Sequence, residues 1–315
     1  MAEHAASDGI HVVDTHYVKP LFDAAHLVVQ DGRAAFVDCG TAHAVPRLLA
    51  ALEAQGLGAE AVDWLLLTHV HLDHAGGAGQ LLQALPRARV AVHPRGAPHL
   101  VDPRKLIEAS IAVYGEADYR RLYGELLPID ASRVEATPDG AMLALGGRRI
   151  EVLHTPGHAL HHQAFLDHAA KAVFTGDTFG LAYGALAVDG RPFAVPTTSP
   201  TQFDPEQLLA SIARVAACGA RSACLTHYGR IGELPRVAAD LARMVRRFTD
   251  TALAEAARPA AEARAAIRDG LRAIVLEEWR RLGATAPESL LDEWAGFDFD
   301  LNADGLMAWL ARRAR

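Results

Sequence analysis

The sequence predicts an α/β fold followed by an all-helical C-terminal region, and three observations carry that prediction. Up to about residue 235, short apolar runs of strand length alternate with helical stretches. After that point the apolar residues recur only at helical spacing. Glycine, frequent in the first part, becomes sparse in the second.

Strands are expected at 26–30, 34–38, 64–68, 89–93, 150–154, 172–175 and 222–226, each rich in Val, Leu, Ile or Phe and bounded by turn formers. Helices are expected at 45–55, 75–85 and 205–217. The last has a clear start, with Asp204 as N-cap, Pro205 at the first helical position and Gln207 placed to close a capping box. Residues 102–128 read as a helical insertion opened by Asp102-Pro103. Residues 178–204, rich in Gly, Pro, Thr and aromatics, offer little regular structure; a loop of that length inside a domain points to function. Further on, Val237, Leu241, Met244, Val245 and Phe248 repeat at helical spacing, as do Ile267, Leu271, Ile274, Val275 and Leu282. The organisation expected is a catalytic domain over 1–235 and a helical region over 236–315, whose surface could also support an oligomer. Arg243, Arg246 and Arg247 read as a solvated helix face.

Composition narrows the function classes. The 315 residues hold 50% hydrophobic and 22% charged side chains, the profile of a globular protein. A formal net charge of −7 argues against a nucleic-acid partner. No apolar run reaches the roughly 18 residues of a membrane span, so no membrane partner is expected. The opening Met1-Ala-Glu-His lacks the basic patch and apolar core of a leader. Three cysteines, Cys39, Cys218 and Cys224, show no CxxC spacing, which fits a reducing compartment. The expected location is therefore the cytoplasm, and the expected partner a small-molecule substrate.

Sixteen histidines are more than a core needs, and they cluster. Residues 68–77 read Thr-His-Val-His-Leu-Asp-His-Ala-Gly-Gly. His69 and His71 sit two apart at the end of an extended run, so their side chains project to the same side. Asp73 and His74 fall where the chain turns into a helix and diverge from that pair. One short segment can thus serve two neighbouring metals. Three other apolar runs also end in ligand-type residues: 150–154 leads to Thr155-Pro156-Gly157-His158, 172–175 to Gly176-Asp177, and 222–226 to His227. All would lie at one edge of the sheets.

These segments resemble the metallo-β-lactamase superfamily, in the branch holding hydroxyacylglutathione hydrolases and lactonases. The resemblance covers about residues 10–235 and implies an αββα sandwich. It implies that His69, His71 and His158 hold one metal, that Asp73, His74 and His227 hold the other, and that Asp177 bridges them. Asp38 and His162 match positions that support the ligands, while His161 has no assigned role and is expected to be structural or solvent-facing. A bridging aspartate argues against antibiotic hydrolysis as the native role. The reaction implied is hydrolysis of a small ester, thioester or lactone, with a metal-bridging hydroxide attacking the carbonyl and Asp73 shuttling the proton. Tyr183 could donate to a developing oxyanion, with Tyr228 competing for that role. Two divalent ions are expected, with zinc as default and iron or manganese as rivals. A persulfide dioxygenase with one iron and an RNA-processing nuclease of the same fold are the alternatives.

Overall fold

The computed structural model describes residues 8–198 and 202–314. The Met1–His4 opening, and residues 199–201 of the irregular stretch, lie outside the described residues.

The first sheet runs in chain order: β1 (Ile10–Asp14), β2 (Ala24–Gln30), β3 (Arg33–Val37), β4 (Val62–Leu66), β5 (Arg89–Val92) and β6 (Val134–Ala136). Its first three strands pair antiparallel, and β3 to β6 pair parallel. The parallel pairs need crossovers, supplied by α1 (Val45–Ala54), α2 (Leu72–Ala75), α3 (Ala78–Ala84) and α4 (Ala97–Val101), then α5 (Arg104–Tyr114) and α6 (Glu116–Tyr123) of the insertion. The second sheet holds β7 (Met142–Leu145), β8 (Arg148–His154), β9 (Gln163–Asp167), β10 (Ala172–Phe174), β11 (Ser222–Leu225) and β12 (Gly229–Ile231). α7 (Pro205–Ala217) makes the crossover between the parallel strands β10 and β11. α8 (Leu234–Glu255), α9 (Ala260–Leu282) and α10 (Glu288–Arg313) follow.

Alternation along the strands sets the layers. In β3, Ala34 and Phe36 face one apolar cluster with Leu48 of α1 and Leu81 of α3, whereas Ala35 and Val37 face another with Ile150, Val152 and Phe165 of the second sheet. In β8, Ile150 and Val152 point to that middle core and Leu153 to a third cluster containing Leu208 of α7 and Leu241 of α8. Helix, sheet, sheet and helix therefore stack as an αββα sandwich, with α8–α10 appended to its second outer layer. That third cluster is continuous from Leu225 and Ile231 through Val237, Trp279 and Phe299, so the appended helices and the second sheet share one core.

All seven expected strands are present within a residue or two, and five more accompany them among the described residues. The expected 75–85 helix is two pieces, because the chain breaks at Gly76-Gly77, where a Cβ would meet Leu72 O at 2.4 Å or Thr41 O at 2.7 Å. The arginine cluster differs from expectation. Arg243 pairs with Asp240 and Glu278, and Arg247 pairs with Glu277 and Glu278. The buried Glu278 of α9 needs those partners, so the cluster ties α8 to α9. Only Arg246 keeps an exposed contact, to Ala242 O within its own helix.

Candidate metal centre

Strand ends and the turns after them deliver the site. β4 runs out at Leu66 and leads through Thr68 to His69 and His71, with Asp73 and His74 in the short α2. His158 follows β8, Asp177 follows β10 and His227 follows β11. Two glycines make the turns possible. At Gly176 (φ +47°) a Cβ would lie 2.6 Å from Thr68 Oγ1, and at Gly157 (φ +128°) 2.2 Å from the backbone nitrogen of Leu208.

The seven expected donors come together as two adjoining groups, His69, His71, His158 and Asp177, then Asp73, His74 and His227. In the first, His71 Nδ1 lies 2.9 Å from His69 Nε2 and 3.1 Å from His158 Nε2. In the second, His227 Nε2 is 3.4 Å and His74 Nε2 3.9 Å from Asp73 Oδ2. Asp177 stands between them, with Oδ2 3.3 Å from His158 Nε2 and Oδ1 3.2 Å from His74 Nε2.

The surrounding contacts fix which nitrogen of His69, His74 and His227 faces inward. Asp38 accepts from Thr68 N–H and Oγ1, from Thr226 Oγ1 at 2.9 Å and from His74 Nδ1 at 2.8 Å. With Thr68 Oγ1 committed to Asp38, it accepts from His69 Nδ1 at 3.2 Å, leaving His69 Nε2 to the centre. His227 Nδ1 donates to Phe22 O at 3.1 Å, which likewise frees Nε2. His162 Nε2 accepts the Asp177 N–H at 3.2 Å, while its Nδ1 lies 2.8 Å from Thr155 Oγ1 and 3.1 Å from Thr178 Oγ1. His161 is buried, with Nδ1 facing the Val70 N–H at 3.5 Å, and not solvent-facing.

The donor set fits a cation. His74 Nε2 and Asp177 Oδ1 are buried and face one another, yet neither has a hydrogen-bond partner, a costly arrangement unless an ion takes both. Charge tells the same story. Burial and neighbouring imidazoles hold His69 well below its ordinary range, and burial with His158 lowers His71 to about 3. In the second group burial again opposes charge, but Asp177, Asp73 and Asp38 outweigh it and hold His74 well above its ordinary range. His227 is pushed to about 10 against burial, by its contact with Asp73 and by Asp177 and Asp23. Asp73 falls to about 2, because His74 and His227 outweigh burial. The buried Asp177 and the half-buried Asp73 thus draw positive charge into a pocket that divalent ions would suit.

A cavity of about 170 Å³ opens on the donors His71, Asp73, His158, Asp177 and His227. Phe22, Leu106, Tyr123 and Leu181 supply much of its wall, and Phe297, Asp298 and Leu301 of α10 close one side. Tyr183 is not among the residues lining it. Its buried hydroxyl donates to Asp298 Oδ2 at 3.0 Å, so the expected oxyanion donor is committed to a carboxyl that itself faces the cavity. Tyr228 lines other surface hollows, away from the donors. Burial raises the Asp298 carboxyl to about 7, against the opposing charge of His227 and the Tyr183 bond. Sequence reasoning missed Asp298, and also Asn302, which accepts from Thr198 N–H at 2.7 Å and donates to Pro196 O, fixing the Thr197-Thr198 wall. A signal existed. Both fall on the buried stripe Leu291, Ala295, Asp298, Asn302, where helical spacing calls for apolar residues.

Comparison with protein families matches residues 18–218 to the metallo-beta-lactamase superfamily. The chain belongs to that superfamily. Among curated proteins, the hydroxyacylglutathione hydrolase of Xanthomonas axonopodis pv. citri is 36% identical over 197 residues, 61% of this chain and 58% of that protein. A metallo-beta-lactamase fold-containing protein of Sulfurisphaera tokodaii is 33% identical over 143 residues, 44% of this chain and 50% of its own length. The chain therefore spans about half to three fifths of these curated relatives. Among solved structures, a metallo-beta-lactamase family protein of Thermus thermophilus superposes with a TM-score of 0.64 at 25% identity, covering 91% of this chain and 94% of that one. The superfamily match thus spans β2 to β10 and every donor except His227. Among the described residues, no helix of this superfamily member is long and apolar enough to cross a membrane.

Proposed function

We propose that this chain is a dinuclear metal-dependent hydrolase of a small ester, thioester or lactone, with zinc as default metal and iron or manganese as rivals. One observation carries the reading: Asp177 offers Oδ2 to the first donor group and Oδ1 to the second. His69, His71 and His158 would hold one ion, Asp73, His74 and His227 the other, and Asp177 both. Bound there, two divalent ions supply Lewis-acid polarisation of a carbonyl and a water acidic enough to ionise near neutral pH. The protein's own groups do the rest. Asp38 and Thr68 keep the imidazoles in the tautomers that face inward, and His162 holds the Asp177 main chain. Asp73 turns Oδ2 to His227, so its other oxygen is the proton carrier between water and leaving group. The apolar wall excludes bulk water from the carbonyl. Asp73 as proton carrier suits alkoxide and thiolate leaving groups better than an amine. The name of the Xanthomonas relative, hydroxyacylglutathione hydrolase, denotes cleavage of a thioester and supports the same class. Free Cys39, Cys218 and Cys224 fit work in the reducing cytoplasm.

Elemental analysis of metal-loaded protein should find two ions per chain; one iron per chain would reject this reading in favour of a dioxygenase. A panel of lactones, thioesters, matched amides and phosphodiesters should show the carbonyl esters turned over fastest. Faster amide cleavage, or phosphodiesterase activity above both carbonyl classes, would overturn it.

A further inference from the structure

The cavity beside the donors has an unusual charge balance. Among its described lining residues there is no lysine or arginine. Outside the donor set, the one charged side chain in that lining is Asp298, contributed by α10. Lys19 stands behind that lining and is not part of it: its Nζ sits 3.8 Å over the Trp294 ring and 5.7 Å from the Phe22 ring centre, and donates to Glu293 O. Next to Asp298, Phe297 lines the cavity while 49% exposed, leaving an apolar rim open to an incoming chain. Asp298 cannot swing away freely, because Tyr183 donates to its Oδ2 from a fully buried position.

Away from the donors, an anionic substrate tail entering such a space would meet largely apolar walls, no lysine or arginine, and a fixed carboxyl. Desolvating a carboxylate without a partner is costly, and a like charge adds to the cost. A methylene chain meets no such penalty and gains from burial. Resting on the hydrolase reading above, we infer that this cavity selects uncharged, largely apolar acyl chains, and that Asp298 is the specificity-determining residue that turns away chains ending in a carboxylate. The appended helices thereby set substrate class, through a residue the donor motifs do not contain.

The test uses 4-nitrophenyl octanoate and mono-4-nitrophenyl suberate, which share leaving group and chain length and differ in the terminal carboxylate. Assays run at about pH 8.5 on metal-loaded full-length protein. Wild type should favour octanoate in kcat/KM by roughly tenfold or more, through KM. Asp298→Asn keeps an oxygen to accept from Tyr183, so it removes charge with little change in shape. It should narrow the preference by roughly fivefold or more, by lowering KM for suberate. A ratio taken within one preparation cancels any loss of folded protein. An unchanged ratio would overturn the inference and reduce Asp298 to a pin for Tyr183. Should neither ester be cleaved, the hydrolase reading fails separately, and binding judges the cavity. NMR titration of metal-free protein should then show octanamide binding tighter than suberamate, with D298N narrowing the gap. Equal affinities in wild type would refute the selection.

Discussion

The two donor groups share an aspartate and differ in almost everything else. The first is three imidazoles in contact, His69, His71 and His158, with rings held neutral by burial and mutual repulsion. The second pairs His74 and His227 with Asp73 under the added field of Asp38 and Asp23, and its rings are drawn toward the charged form. The difference lies first in the carboxylates beside the rings and then in what stands behind them. His69 leans on a hydroxyl, Thr68, whereas His74 leans on a carboxylate, Asp38. Imidazole count does not set the character of each half; the carboxylates around the rings do, Asp177 and Asp73 ahead of Asp38 at His74, and Asp73 and Asp177 at His227.

The comparison breaks most severely at Asp177, the residue both halves share. Asp177→Ala should strip both groups, taking bound metal from two ions toward none and turnover down about 10³-fold or more. Inductively coupled plasma analysis that still finds one ion at wild-type affinity would mean the halves are independent. Asp38→Asn should separate them. An amide nitrogen placed against His74 Nδ1 favours the wrong tautomer, so the second group should lose affinity by about 10–100-fold while the first changes little. Competitive metal titration reads both steps, and equal losses would contradict the asymmetry. His162→Gln should act more weakly, since it touches only the Asp177 main chain. A several-fold fall in affinity, felt by both groups, is expected.

The smallest effect concerns the cavity side of the second group. Asp298 is raised from 3.8 to about 7 by burial in the metal-free protein, with His227 opposing. Its folded pKa lies above the unfolded value, so the native state holds the proton more tightly. Its stabilisation is complete below about pH 4 and is lost as pH rises through about 7, by at most about 4 kcal/mol. Metal-free D298N should show a flatter fall in Tm over that window than wild type. Parallel curves would show that the carboxyl does not titrate there.

Much of this was legible in the chain. His69, His71, Asp73 and His74 lie within six residues, and His158, Asp177 and His227 each follow an apolar run, so local spacing alone marked them. Strands such as β9 were harder to read. Gln163, Ala164, Phe165, Leu166 and Asp167 are all buried, and a strand covered on both faces has no alternation to read. Tyr183 shows the opposite error. It stands in the right loop, but only the packing of α10 decides that its hydroxyl meets Asp298.

The sequence by itself determined the alternation of strands and helices, the appended helices and the donor-type residues, because each rests on periodicity or spacing within a few residues; the sandwich came through the family resemblance. The resemblance implied how those donors divide, and the tertiary structure supplies the geometry: Asp177 reaches both groups only when β4, β8, β10 and β11 end at one edge. It also decided the cavity. Phe22 and Asp298 stand far apart in the chain, and Trp279 Nε1 of α9 donates to Leu186 O at 2.8 Å in the irregular stretch between them. Contacts of such separation depend on how whole layers pack, and no local pattern encodes them.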